Sequence, residues 1–145
     1  MIITETVYFD NLDILKNKKK QFSYLKKKYE NTCYKKLYIK KFNKIIKKSK
    51  NIIDNNDFNL YYKSNITFDV DTLEIKKNDE LNIKITDKHP KLGLISKNDY
   101  MFVYVLNSIH MIDKIKIDDI KKIKVEGVKY NKNTNKIVII SKLLD

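Results

Sequence analysis

The 145-residue chain has no tryptophan and no arginine, and only two glycines, one proline, one cysteine and two histidines. Each shortage narrows the chemistry. A single thiol, Cys33, cannot form an internal disulfide, which fits a reducing compartment and a buried structural cysteine. His89 and His110 have no cysteine or carboxylate near them at metal-ligand spacing, so no zinc site is expected. Two well-separated glycines leave no room for a Gly-rich phosphate loop or a nucleophile elbow. Without arginine, bidentate reading of guanine edges is disfavoured, because lysine offers a point charge in place of a fork. The longest apolar run, MFVYVL (residues 101–106), falls far short of the ~20 residues that span a bilayer. The opening MIITETVYFD lacks the basic and apolar segments of a secretory leader.

What is present is lysine. Hydrophobic residues make up 42% and charged residues 34%, the balance of a folded soluble chain long enough for one ordinary domain or two very small ones. Lysine supplies every basic charge and gives a net charge of +13. Lys, Ile and Asn fill 69 of the 145 positions, as strongly A+T-rich coding would dictate, so part of the basicity reflects codon usage. Codon usage should act evenly along the chain, yet residues 1–50 hold 15 lysines against four acids, and residues 51–145 hold 16 against 14. The first third is therefore expected to face a polyanion or an acidic protein, through non-specific attraction.

In chain order, IITETVYF (residues 2–9) reads as a strand. Asp10 or Asn11 can cap a following helix, with Asp13 in its first turn, and Leu15, Phe22, Leu25 and Tyr29 form its packing stripe. Lysines cover its other faces. The same pattern could lie on an anionic membrane, but the narrow stripe and missing tryptophan argue against it, and no membrane partner is expected. Residues 33–50 are ambiguous: Tyr34, Leu37, Tyr38, Phe42, Ile45 and Ile46 fit a helical face, while the residue types suit strands. Residues 51–57 are turn-like, with Asn and Asp able to take left-handed conformations in place of glycine.

Strands are expected at residues 58–70, 81–85, around Gly93, at 100–105, 123–130 and 137–140, the last of them buried. The alternation slips at Asp71-Thr72, as a bend between two sheets requires, and flips at Gly127, a bulge signature. A short helix is expected around residues 117–120. These elements predict an α+β protein: an N-terminal strand-helix-antiparallel sheet module over residues 1–77, then a five-stranded OB-type β-barrel over residues 78–145.

No catalytic constellation is visible, and neither a catalytic residue nor a cofactor is expected. Asp69 and Asp71 could share a Mg²⁺ ion, but a lone D-x-D is weak and the rest of such a site is missing. Binding remains. Tyr100, Phe102 and Tyr104 share one face of a strand and could stack bases at roughly 1–3 kcal/mol each. Lys84, Lys97 and Lys124 lie on neighbouring strands or turns and could follow a phosphate backbone. The competing possibility is that this face packs against other protein.

The order of elements resembles the stalk subunit of multi-subunit RNA polymerases: the eukaryotic seventh subunit, its archaeal counterpart and the small poxvirus counterpart. YENTCYKKLYI (residues 29–39) is similar to the family's acidic-Gly-Thr-Cys segment ending in an aromatic-Ile pair. FNLYYKSNITFDV (residues 58–70) looks like its long strand crossing into the barrel, and NDELNIKIT (residues 78–86) like the barrel's opening, with Asn78-Asp79-Glu80 where glycine is usual. Gly93, YMFVYV and IKKIKVEGVKYNKNTNKIVIISKL match the later strands. The resemblance implies strand over residues 33–50 and a non-catalytic subunit that docks on the large polymerase subunits. It also implies assistance in initiation and contact between the barrel and nascent RNA. Lys47, Lys48 and Asn51 would form the docking tip. A cytoplasmic location follows if the chain serves a cytoplasmic DNA virus, whose virion could package it. A free-standing OB-fold protein for single-stranded nucleic acid is the alternative.

Overall fold

The computed structural model describes residues 1–9, 14, 16–49, 52–56 and 59–144, with the backbone alone over 52–56 and 59–61. The chain is a mixed α+β protein, mostly strands, with two curled sheets. It divides into two compact units. The first comprises Met1–Thr32 and Ile39–Thr72, the second Cys33–Tyr38 and Leu73–Asp145.

The first sheet contains β1 (Ile2–Phe9), β2 (Thr32–Tyr34), β3 (Leu37–Lys48), β4 (Ile52–Asn56) and the 15-residue β5 (Asn59–Leu73). Its order is β1-β5-β3-β2, with β4 also paired to β5. β1 runs antiparallel to β5 from Ile2 opposite Asp69 to Phe9 opposite Tyr62. Alternation buries Ile3 and Val7 of β1 and Ile66, Phe68 and Val70 of β5.

A single α-helix, α1 (Lys18–Tyr29), completes the described elements of this unit. Asn17 caps it, its side chain accepting from the backbone N–H groups of Lys19 at 2.9 Å and Lys20 at 3.3 Å. The expected caps Asp10, Asn11 and Asp13, and the stripe residue Leu15, lie outside the described residues. The buried stripe is Gln21, Leu25 and Tyr29, spaced by four, with Phe22 half-buried beside it. Aromatic rings fill the core: Tyr29 meets Phe68 at 4.8 Å between centroids, Phe68 meets Phe42 at 5.2 Å, and Phe42 meets Phe22 edge-on at 5.4 Å.

Within residues 33–50, residues 33–34 belong to β2 and residues 37–48 to β3, with a turn between them, so helical periodicity misleads here. Tyr38, Phe42 and Ile46 are spaced by four, an interval that also keeps residues on one face of a strand. The hairpin between β2 and β3 turns through Lys35 at φ 52°. Tyr38 and its neighbour Ile39 are both buried, which no simple alternation allows. Tyr38 belongs to the second unit's core and Ile39 to the first unit.

The second sheet contains β6 (Glu80–Lys84), β7 (Asp87–His89), β8 (Gly93–Lys97), β9 (Met101–Val105), β10 (Ile120–Asn131) and β11 (Lys136–Leu143). Its order is β6-β10-β11-β9-β8-β7, and all pairings are antiparallel except β11 with β9. The strands at the two ends of this path, β6 and β7, are separated in the chain only by Ile85 and Thr86. Ile85 bonds Asp118 and Asp119 on one side, and the Thr86 N–H bonds the Ile95 carbonyl on the other. The sheet therefore curls around a core of Ile83, Ile85, Leu94, Val103, Val105, Ile123, Val125, Ile137 and Ile139.

Gly93 sits at φ 90°, and a Cβ there would collide with the Ser108 hydroxyl. That hydroxyl is buried, accepts from the Leu94 N–H at 2.7 Å and donates to the Val105 carbonyl at 2.6 Å. The register shift expected at Gly127 is present, between Val125 and Gly127. Asn31, Asn78, Asn107 and Asn135 take positive φ, the role that glycine would otherwise serve.

Three expectations need correction. Residues 52–56, expected within a turn, form β4 and pair antiparallel with β5, because backbone pairing to the long strand overrides the turn preference of Asn and Asp. The connection before β10 has its short helix at Ile109–Met111, as a 3₁₀ turn, and not around residues 117–120. Asp118 there adopts φ 77°, which a right-handed helix cannot contain, and the Asp119 carboxylate accepts from the Lys116 N–H at 3.0 Å to close a turn. The last strand is not buried on both faces: Ile137 and Ile139 are, but Ile140 is 43% exposed.

Candidate nucleic-acid interface

β9 presents two different faces. Val103 and Val105 are fully buried, while Phe102 and Tyr104 are half-buried on the opposite side, their rings 4.7 Å apart and tilted by 36°. Register brings partners to them from both neighbours. On β11, Val138 lies beside Phe102 and Ile140 beside Tyr104. On β8, Lys97 lies beside Phe102 and Ile95 beside Tyr104. Across β11, Gly127 of β10 faces Ile140 and Lys129 faces Val138. No atom lies within 4 Å of where a Gly127 side chain would begin, so Ile140 has open space on that side. The result is an apolar strip of Phe102, Tyr104, Val138 and Ile140 with lysine at its edges.

Tyr100 leaves the expected aromatic ladder. It precedes β9 and stacks on Tyr38 at 5.4 Å and 26°, packed against the second unit's core. Burial pushes the Tyr38 hydroxyl pKa up, with smaller contributions from Cys33, Tyr100 and Asp99.

The three expected lysines are not equivalent. Lys97 adjoins Phe102 and pairs with Asp87 at 3.6 Å. Lys124 is on β10, two strands from β9, opposite Lys142. Lys84 is on β6, a strand further, and pairs with Asp118 at 3.3 Å. Both ion pairs are solvent-exposed, so each can exchange its carboxylate for a phosphate at small cost. Lys129, Val138 and Ile140 were missed by sequence reasoning. Lys129 lies past the bulge that Gly127 signalled, beside a β11 residue that only the register identifies, and KIVII gave no sign of which isoleucine faces out.

Lys47 and Lys48 end β3 in the first unit, and Asn51 lies outside the described residues. With Lys18 and Lys44 they border a groove between α1 and β3. Burial pulls the Lys48 ammonium pKa below the usual lysine range.

The remaining chemistry-bearing residues have structural work. Asn43 donates to both Asp69, at 3.1 Å, and Asp71, at 2.9 Å, so its amide occupies the space between these carboxylates. That amide bond, with lesser help from the Met1 ammonium, holds the Asp69 carboxyl below its ordinary pKa. His89 Nδ1 accepts from the Lys91 and Leu92 N–H groups, both at 3.1 Å, and so closes the turn after β7. Cys33 is buried, and burial raises its thiol pKa, which suits packing and not nucleophilic attack. Among the described residues no three His, Cys, Asp or Glu side chains gather as a metal site, and no helix is long and apolar enough to cross a membrane.

No protein-family model matches the chain, and no curated protein matches it.

Proposed function

We propose that this chain is a non-catalytic, stalk-like subunit of a DNA-directed RNA polymerase. It docks on the large subunits through the first unit, assists initiation and contacts nascent RNA through the second. The observation that carries the RNA contact is the outward pair Phe102 and Tyr104, flanked by Lys97, Lys129 and the exposed Ile140. Bases stack on such rings without sequence preference, and lysines without arginine suit phosphates more than base edges.

Strand order supports an OB-type barrel. Counted as one strand interrupted at Ile85 and Thr86, β6 and β7 reduce the second sheet to five strands. Their antiparallel and parallel pairings then follow the Greek-key plan of that barrel. A strand, a helix and further strands precede it, in the order the stalk family shows. The chain works in the cytoplasm in this reading.

Purification of the endogenous protein at moderate salt tests the proposal. Co-elution with two very large polymerase subunits is the expected result. A lone monomer that binds RNA with a steep salt dependence would instead identify a free-standing single-strand-binding protein. At the barrel, Phe102→Ala with Tyr104→Ala should weaken oligouridylate binding at least tenfold, as loss of one or two stacked bases at roughly 1–3 kcal/mol each implies. Unchanged affinity in a filter or anisotropy assay would remove RNA from this face.

A further inference from the structure

The groove on the first unit has a composition that lysine-rich coding does not explain. Its volume is about 380 Å³, and it lies between α1 and the end of β3. Lys18, Lys44, Lys47 and Lys48 border it, and no carboxylate among the described residues lines it. Inside the rim it is lined by Phe22, Ile45 and Ile46 together with Gln21. Phe22 is half-buried, its ring held edge-on by Phe42, and Ile46 is 47% exposed. Ile46 lies at a strand position between Lys44 and Lys48, and an exposed β-branched side chain there adds nothing to solubility.

We infer that this groove is a docking site for an acidic peptide segment anchored by apolar side chains, contributed by a partner protein. The lysine-rich rim favours negative charge, and the apolar side chains inside it favour hydrocarbon. An acidic amphipathic peptide brings both in one chain. A nucleic acid brings only the first. Its bases need open aromatic faces, and here the Phe22 ring is already engaged by Phe42, while Ile46 offers no stacking surface. The site also reconciles the lopsided charge of the first 50 residues with protein docking, since a carboxylate-rich partner would be drawn to it from a distance. The lowered Lys48 pKa agrees with this geometry, because a carboxylate beside the ammonium would offset the burial that lowers it.

This inference rests on the docking role proposed for the first unit, but not on the partner being a polymerase. The test uses the full chain and a short fluorescein-labelled peptide in which two leucines sit four residues apart among glutamates. Anisotropy should show saturable binding. A control peptide with both leucines replaced by serine should bind about tenfold more weakly, the scale of removing two apolar anchors. Lys47→Glu should weaken the leucine peptide by about tenfold, and Ile46→Ser several-fold, with circular dichroism unchanged because both side chains are exposed. Equal binding of the two peptides would overturn the inference, leaving a general polyelectrolyte surface. So would displacement by oligouridylate together with indifference to Ile46→Ser. Peptide binding without polymerase co-elution sinks the polymerase reading and keeps the groove. Co-elution unaffected by Lys47→Glu, with no peptide binding, does the reverse.

Discussion

The two units solve the same packing problem with different materials. Each must cover the inner face of a curled sheet. The first uses a helix and rings: Phe9, Phe42, Phe68 and Tyr29 fill its core. The second uses almost only isoleucine, valine and leucine, enclosed by its own curl. Net charge does not separate them: the first unit holds 14 lysines against eight acids, the second 17 against ten. In the second, Lys76, Lys84, Lys97, Lys122 and Lys142 each have a carboxylate within 3.6 Å. In the first, four lysines border one groove that no carboxylate among the described residues lines. What differs is the arrangement of charge, not its total.

The packing contrast can be broken most severely in the cores. Phe68→Ala removes a fully buried ring that touches both Tyr29 and Phe42, and should cost about 3–5 kcal/mol. Ile139→Ala in the second core should cost about 2–5 kcal/mol, toward the lower end if the aliphatic curl relaxes into the space. Urea denaturation followed by hydrogen exchange measures both. If Phe68→Ala proves the milder change, aromatic packing is not what holds the first unit.

A smaller effect separates the two glycines. Gly93→Ala meets both a positive φ and the Ser108 hydroxyl, so it should lose about 1–3 kcal/mol. Gly127→Ala enters open space and should change stability by less than about 0.5 kcal/mol. Thermal melts of the pair compare them directly. Equal losses would mean that the bulge, and not the Gly93–Ser108 contact, limits the curl of the second sheet.

The second unit was the more legible of the two, and the reason is period. In β6 and β9, apolar and polar or aromatic residues alternate strictly, so strand and facing could both be read. Asparagine at residues 31, 78, 107 and 135 marked turns in a chain nearly without glycine. β3 was not legible from periodicity, because an apolar interval of four serves helix and strand alike. It also changes allegiance between Tyr38 and Ile39. Gln21 could not be read as buried, being polar in a lysine-rich run. For the candidate sites, Phe102 and Tyr104 were visible as a face, but Ile140 was not, since four contiguous apolar residues conceal their phase. The lysine groove needed the fold itself, because Lys18 and residues 44–48 meet only when α1 lies against β3.

The smallest effect is confined to alkaline solution and probes the aromatic core by titration. Tyr29 lies in the core of the first unit, and its hydroxyl pKa is pushed up to about 12, first by burial and then by the nearby Glu5 and Tyr24. The neutral phenol is thus favoured in the folded state. Below pH ~10 the group is protonated whether the chain is folded or not, and it contributes no pH dependence. Between pH ~10 and 12 the unfolded chain gives up a proton that the folded chain keeps, so unfolding is favoured as pH rises. Above about 12 both states are ionised and the loss is complete. Tyr29→Phe removes this contribution while keeping the ring against Phe68. Its stability, relative to the wild-type chain in urea, should therefore improve steadily from about pH 10 to 12. Parallel pH profiles for the two proteins would show that Tyr29 reaches solvent, and that the aromatic core of the first unit is looser than the aliphatic core of the second.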